Sequence, residues 1–206
     1  MIITHHGKQF YKLQTGDFVI ALNPISKESK FKTNGFGANI AMMSVNHPDY
    51  NGADLVDYAG KTPFVVKGPG EYEVSDIMIQ GFATKGFENK NNTMYYFEFD
   101  GIKILFFGAI YQSEIPLEAR QGIGDVDMLF VPIGGASVLD AESAHKLAKS
   151  FGPKVVIPMD YGSDQEKDAL KDFLKQAGSE KVAPVDKLTI KSKDLAGKEQ
   201  EVIIIE

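Results

Sequence analysis

The spacing of the apolar residues changes halfway along this chain, and that change limits the possible folds more than any other feature. In the first half, short apolar runs alternate with turn signals, a pattern typical of β-strands joined by tight turns. The predicted strands cover residues 10–13, 18–22, 39–44, 64–66, 77–79, 94–99 and 102–107. Asp100-Gly101 lies between the last two runs and supplies the positive φ angles of a two-residue hairpin turn. We therefore predict a meander of strands for the first half.

In the second half, strand-like runs alternate with helical periodicity. Strands are predicted at residues 128–131, 155–157 and 202–205. One helix is predicted to begin at the capping residue Asp140, and a second at the capping box formed by Ser163 and Glu166. The whole pattern favours sheets covered by helices on the outside. With no linker and no internal repeat, residues 1–206 are expected to form one domain.

Composition excludes several classes of function. The net charge of −6 and the absence of a basic stripe argue against a nucleic-acid-binding role. The chain has no cysteine, which excludes disulfides and cysteine-bound zinc. No apolar run reaches the roughly 18 residues of a membrane span, and no signal peptide is visible. A cytoplasmic location without membrane attachment is therefore the expectation.

Four motifs give the sequence a family resemblance. They are Gly-Pro-Gly-Glu-Tyr-Glu-Val at 68–74, the Gly-Asp-Val-Asp segment that begins at 124, Ile-Pro-Met-Asp-Tyr at 157–161, and Pro-Val-Asp-Lys-Leu at 184–188. In this order they resemble the metallo-β-lactamase superfamily, in a branch similar to ascorbate-phosphate lactonases and other zinc-dependent hydrolases. The resemblance implies an α/β (α+β) fold, a four-layer αββα metallo-β-lactamase-like sandwich with two facing sheets and helices outside. It also implies metal ligands on loops at one edge of the sheets.

The family's ligand signature, Thr-His-x-His-x-Asp-His, corresponds to residues 44–50 of this chain. Val45 takes the place of the first histidine and has no donor atom. His47 and Asp49 are retained, and Tyr50 replaces the third histidine. Two of the four ligands in this segment are thus lost.

The remaining ligand positions are also replaced. Residues 81–85, where the family has a histidine, contain no ligand. Ala109 takes the place of the bridging aspartate, and Asp160 that of the last histidine. His47, Asp49 and Asp160 are the remnants of the ligand set, and we expect them to flank a gap rather than enclose a metal ion.

Two functions of different classes remain open. The first is a protein of this fold without its hydrolytic metals or any other cofactor, acting in binding, scaffolding or regulation, with an unidentified small-molecule or protein partner or as a homo-oligomer. The second is a hydrolase with a reshaped single-metal site for Zn or Mn, acting on a phosphorylated or lactone-like molecule. In either case the candidate pocket is edged by His47, Asp49, Tyr50, Glu71, Ala109 and Asp160.

Other titratable groups have more ordinary interpretations. Glu71, Glu73 and Asp76 form either a carboxylate cluster or a solvated strand face. The neighbouring His5 and His6 border the candidate cleft in one interpretation. His145 is expected to face solvent or to pack on the sheet.

Overall fold

The structure of the protein is a computed structural model, and it describes residues 1–58, 60–162 and 168–206. The described residues form two β-sheets. The strands of the first sheet are β1 (Ile2–His5), β2 (Tyr11–Thr15), β3 (Phe18–Leu22), β4 (Ile40–Met43), β5 (Phe64–Lys67) and β12 (Leu188–Thr189). Those of the second are β6 (Gly70–Val74), β7 (Ile77–Lys85), β8 (Asn91–Phe99), β9 (Ile102–Phe106), β10 (Met128–Pro132), β11 (Val155–Met159) and β13 (Glu201–Val202). The strand orders are β12-β1-β2-β3-β4-β5 and β13-β11-β10-β9-β8-β7-β6.

In the part of the chain that the structure describes, three α-helices accompany the sheets: α1 (Leu117–Gly122), α2 (Ala141–Lys149) and α3 (Ala169–Gln176). The predicted local signals appear where expected. Asp100 and Gly101 have φ angles of 55° and 71°, as the primed hairpin turn between β8 and β9 requires. The Asp140 side chain accepts a hydrogen bond from Ser143 N at 2.7 Å and caps α2. The capping box predicted at Ser163 lies outside the described residues.

The main hydrophobic core lies between the two sheets. Tyr11 and Leu22 of the first sheet are fully buried in one cluster with Phe106 and Phe130 of the second. A second cluster on the outer face of the seven-stranded sheet joins its residues to the helices, for example Leu129 to Leu147 and Phe173. Apolar residues of alternating strand positions therefore fill both faces of this sheet, which confirms the predicted sandwich.

The outer face of the six-stranded sheet is covered differently. Its buried residues Val19 and Ala41 pack with Ile25 from the β3–β4 connection and with Val56 from the β4–β5 connection. The helical element there is the short 3-10 helix Ala53–Leu55. Within the described residues, the outer layer on this side is thus mostly loop, whereas α1, α2 and α3 cover the other sheet.

The C-terminal strand is shorter than predicted. β13 ends at Val202, and Ile205 makes only an isolated parallel bridge with Val185. Helix α1 carries no strong periodicity and was not predicted. No helix in the described part of the chain is both long and apolar enough to cross a membrane.

Candidate functional site

Four strands from both sheets end at one edge of the sandwich, and their following residues are joined by hydrogen bonds. Asn23 follows β3, Ser44 follows β4, Ala109 follows β9 by three residues and Asp160 follows β11. Strands β3 and β4 are parallel neighbours, as are β9, β10 and β11, so their carboxyl ends point the same way within each sheet. The sequence-predicted ligand positions thus lie where the two sheets meet.

Asp160 is buried, and both oxygens of its carboxylate contact other side chains. Its side chain is 1% exposed, and its Oδ2 accepts hydrogen bonds from the Tyr50 hydroxyl at 2.7 Å and from Gln9 Nε2 at 2.8 Å. The Lys8 ammonium lies 2.6 Å from Oδ1, close enough for an ion pair although not aligned as a regular hydrogen bond. Both carboxylate oxygens therefore already have partners from the chain itself.

The hydrogen bonds continue from Gln9 into the first sheet. Asn23 Nδ2 donates to Gln9 Oε1 and to Ser44 Oγ, both at 2.8 Å, and Asn23 Oδ1 accepts from Ser44 N at 2.7 Å. Gln9 and Asn23 are completely buried, and Ser44 is 2% exposed. These amides satisfy one another, which removes the cost of burying them unpaired.

The same network reaches the second sheet through Ala109. Its backbone N–H donates to Ser44 Oγ at 3.2 Å and to Asn92 Oδ1 at 2.8 Å. Asn92 in turn donates to Thr84 Oγ1 at 2.8 Å and to the Phe107 carbonyl at 2.9 Å. A continuous polar network therefore joins the two sheets at this edge.

Next to this network lies a small apolar cluster, called the apolar floor below because it lines one side of a cavity. Val45, Tyr50, Ala109 and Val138 are buried against one another in a cluster of their own. Together with side chains of the surrounding loops, the first three line a cavity of about 170 Å³. Its other lining residues are His47, Asp49, Phe87, Glu88, Lys90 and Ser137.

His47 and Asp49 sit at the mouth of this cavity. His47 Nδ1 is 3.7 Å from Asp49 Oδ2, and it accepts a hydrogen bond from Asp49 N at 3.3 Å. The other carboxylate oxygen of Asp49 accepts from Ser29 Oγ at 2.5 Å. Because the His47 side chain is 41% exposed, this pair is a partly solvated loop contact rather than a closed ligand set.

The donor atoms present do not fit the dinuclear centre of the family. Val45 and Ala109 place methyl groups at two ligand positions, and the oxygens of Asp160 are bound by an ammonium, an amide and a phenol. Among the described residues, no three His, Asp or Glu side chains form a group suited to a metal ion. A zinc site needs about three convergent protein ligands. The cavity lining supplies one histidine and two carboxylates, Asp49 and Glu88, and Glu88 is paired with Lys90.

Not every predicted site residue lies here. Glu71 is exposed on β6, opposite Gln80 on β7, and does not line the cavity. Its neighbour Glu73 is exposed as well, which favours the solvated strand face over a carboxylate cluster. The Gly-Pro step before them lines a separate cavity of about 440 Å³, which Val45 also lines.

The remaining histidines have separate surroundings. A His5 ring nitrogen lies 3.1 Å from the Lys8 carbonyl, and its ring stacks on Tyr11 at 4.7 Å, so it lies beside the polar network. His6 packs on Phe10 and faces the opposite side, and burial lowers its pKa to about 4. His145 contacts Phe173 of α3, so it packs on a helix rather than on the sheet.

Sequence analysis did not identify the buried polar residues that form the network with Asp160 and Ala109. Lys8, Gln9, Asn23 and Asn92 belong to no family motif and are recognisable only through their long-range partners. The one local signal is that Asn23 and Asn92 are polar residues at the ends of apolar strand runs, where water-exposed positions begin. Both are completely buried instead.

Two facing sheets with the candidate site at the edge where their strands end define the metallo-β-lactamase fold. A family model described as a beta-lactamase superfamily domain matches residues 2–160, well over half of the chain. The chain belongs to this superfamily. The UPF0173 protein of Pyrococcus furiosus is 32% identical over 98 residues, which make up 48% of this chain and 45% of that protein. The match thus spans about half the length of that relative.

Solved structures extend the similarity over the whole chain. A Thermotoga maritima protein provisionally named a Zn-dependent hydrolase of the metallo-beta-lactamase superfamily has a TM-score of 0.80 and 27% identity, covering 100% of this chain and 98% of that chain. A provisionally named metal-dependent hydrolase from Parabacteroides distasonis has a TM-score of 0.68 and 19% identity, covering 99% and 92%. A metallo hydrolase from Ignicoccus hospitalis has a TM-score of 0.64 and 17% identity, covering 100% and 94%. The last two similarities support the fold alone.

Proposed function

We propose that this chain is a metallo-β-lactamase-fold protein that works without hydrolytic metals, in binding, scaffolding or regulation. The observation that carries the proposal is the state of Asp160. It occupies the last ligand position of the family, yet its carboxylate is bound by Lys8, Gln9 and Tyr50. A metal ion at this position would have to displace a buried ammonium and two hydrogen-bond donors.

The floor of the cavity supports the same proposal. Metal-dependent hydrolysis needs a metal-bound water of lowered pKa, held by an open coordination position. Val45 and Ala109 line the cavity instead with apolar surface, and the polar groups beneath them hydrogen-bond to one another. Such a cavity is suited to bind the apolar part of a small molecule or a partner's side chain, with His47 and Asp49 available for polar contacts at its mouth.

Activity measurements test the proposal directly. Purified protein is expected to show no phosphodiesterase or lactonase turnover above background, with or without added zinc or manganese. The comparison variant is the quadruple variant Val45→His, Tyr50→His, Ala109→Asp and Asp160→His, which returns four ligand side chains and shows how far added zinc or manganese changes the background. Turnover by the parent that a chelator abolishes and zinc or manganese restores would overturn the proposal.

A single-metal hydrolase is the second candidate. It is favoured by the closeness of His47 and Asp49 at the cavity mouth and by the provisional name of the Thermotoga maritima structure. In this case His47 and Asp49 hold Zn or Mn with solvent and substrate as the remaining ligands, and the substrate is phosphorylated or lactone-like. His47→Ala separates the two candidates, because it removes metal-dependent turnover only under the second.

A further inference from the structure

A lysine side chain reaches the ligand position at the end of β11. Lys8 Nζ is 2.6 Å from Asp160 Oδ1, and the two side chains are only 12% and 1% exposed. The ammonium also lies 5.0 Å from the centre of the Phe31 ring, on the side of the long loop after β3. A cation therefore stands against the Asp160 carboxylate, and the chain supplies it.

The backbone on both sides is shaped to hold this contact. Gly7 and Lys8 both have positive φ angles, 101° and 54°, and so does Asp160 at 59°. Such an angle is uncommon for lysine and is kept where surrounding contacts enforce it, whereas aspartate adopts it more readily. Here the Lys8 carbonyl accepts a hydrogen bond from Asp160 N at 3.1 Å, which fixes the β1–β2 turn against the end of β11.

The charges and donors around Asp160 balance without a metal. A buried carboxylate is tolerated only when it is paired and its remaining lone pairs are satisfied. Lys8 supplies the positive charge, and Gln9 and Tyr50 satisfy the second oxygen. In the family pattern a histidine at position 160 binds a metal cation, and here an aspartate binds an ammonium.

We propose that the Lys8 ammonium is a built-in cation that takes the place of the metal ion at Asp160 and opposes binding of a second cation there. The inference rests on the proposed function, because it presumes that the metals are absent. Returning the four ligands is then insufficient for tight zinc binding, since the ammonium stays within a few ångströms of the restored site and repels a divalent ion.

The ion pair itself is tested by a double-mutant cycle of Lys8→Met, Asp160→Asn and the double variant, followed by thermal unfolding. Each single substitution leaves a buried partner unsatisfied and is expected to lower the melting temperature by about 10 °C. The double variant is expected to lose clearly less than the two singles combined. The matched control is Lys154→Met. Its pair with Asp127 has the same 2.6 Å distance, but the lysine is 46% exposed, so a shift of only about 1–3 °C is expected.

Zinc calorimetry tests the replacement. We expect the quadruple variant with Lys8→Met added to bind zinc at least tenfold more tightly than the quadruple variant that keeps Lys8. Equal zinc affinities, with a parent that binds none, would overturn the role of Lys8 and leave the proposed function standing. Stoichiometric zinc binding by the parent would overturn the proposed function itself. If the quadruple variants do not fold, the double-mutant cycle tests the inference. The inference is refuted if Lys8→Met and Asp160→Asn each lower the melting temperature no more than Lys154→Met does and their effects add in the double variant.

Discussion

The phenol of Tyr50 offers a sharp test of the polar network, because Tyr50→Phe removes one oxygen and keeps the ring. The ring continues to pack on Val45 and Ala109, so the substitution makes no cavity in the apolar floor. The hydrogen bond lost is the one to buried Asp160 at 2.7 Å. A hydrogen bond to a charged group contributes about 1.5–3 kcal/mol. For a chain of this size that corresponds to a fall of about 3–12 °C in melting temperature.

The assay is paired thermal and urea unfolding of the parent, Tyr50→Phe and the control variant Tyr96→Phe. Tyr96 also donates its hydroxyl hydrogen at 2.9 Å, but to the Asp125 carbonyl at the surface, where water replaces the lost partner. Its loss is expected to stay below about 1 kcal/mol. If Tyr50→Phe costs no more than Tyr96→Phe, the carboxylate of Asp160 does not depend on Tyr50 and the network described here is wrong.

Two further predictions concern the surroundings of the site. Gly108→Ala is expected to cost more than about 2 kcal/mol in urea unfolding, because φ is 60° and an added Cβ would lie 2.3 Å from Ser44 Cβ and 2.7 Å from Asn92 Oδ1. Gly152→Ala, with a φ of 57° and open space around it, is expected to cost only about 1 kcal/mol, and equal costs would contradict the close approach. Burial lowers the pKa of His6 from its ordinary 6.5 to about 4. Between these pH values the histidine is protonated in the unfolded chain and neutral in the folded chain. The contribution of His6 to the free energy of unfolding is therefore fully present above pH 6.5 and is lost as the pH falls towards 4. His6→Phe is expected to reduce this loss of stability in unfolding curves recorded across that pH range.

Much of the fold follows from local sequence signals. Asp100-Gly101 predicts its hairpin because the primed turn demands positive φ angles, and Asp140 predicts a helix start because its side chain caps a free N–H. The layer over the six-stranded sheet had no such signal. There, residues such as Ile25 and Val56 bury the sheet from a loop, and a loop has no periodicity for sequence analysis to detect.

The candidate site, too, could be predicted only in part from the sequence. Register against the family motifs placed Val45, Ala109 and Asp160 at ligand positions, since those residues lie in matched segments. What fills the space could not be predicted, because the contacts join distant parts of the chain. Gln9 and Asp160 are 151 residues apart, and neither carries a local pattern that names the other. Only the folded chain shows that Lys8 and Gln9 contact the Asp160 carboxylate.

The central claim is that this edge of the sandwich is closed by the chain's own side chains and not by metal ions. Calorimetric titration of zinc into the chelator-treated parent protein tests it most directly. We predict no stoichiometric binding at micromolar zinc, and no difference between the parent and His47→Ala. Binding of one or two zinc ions per chain with submicromolar affinity, lost in His47→Ala, would contradict the claim.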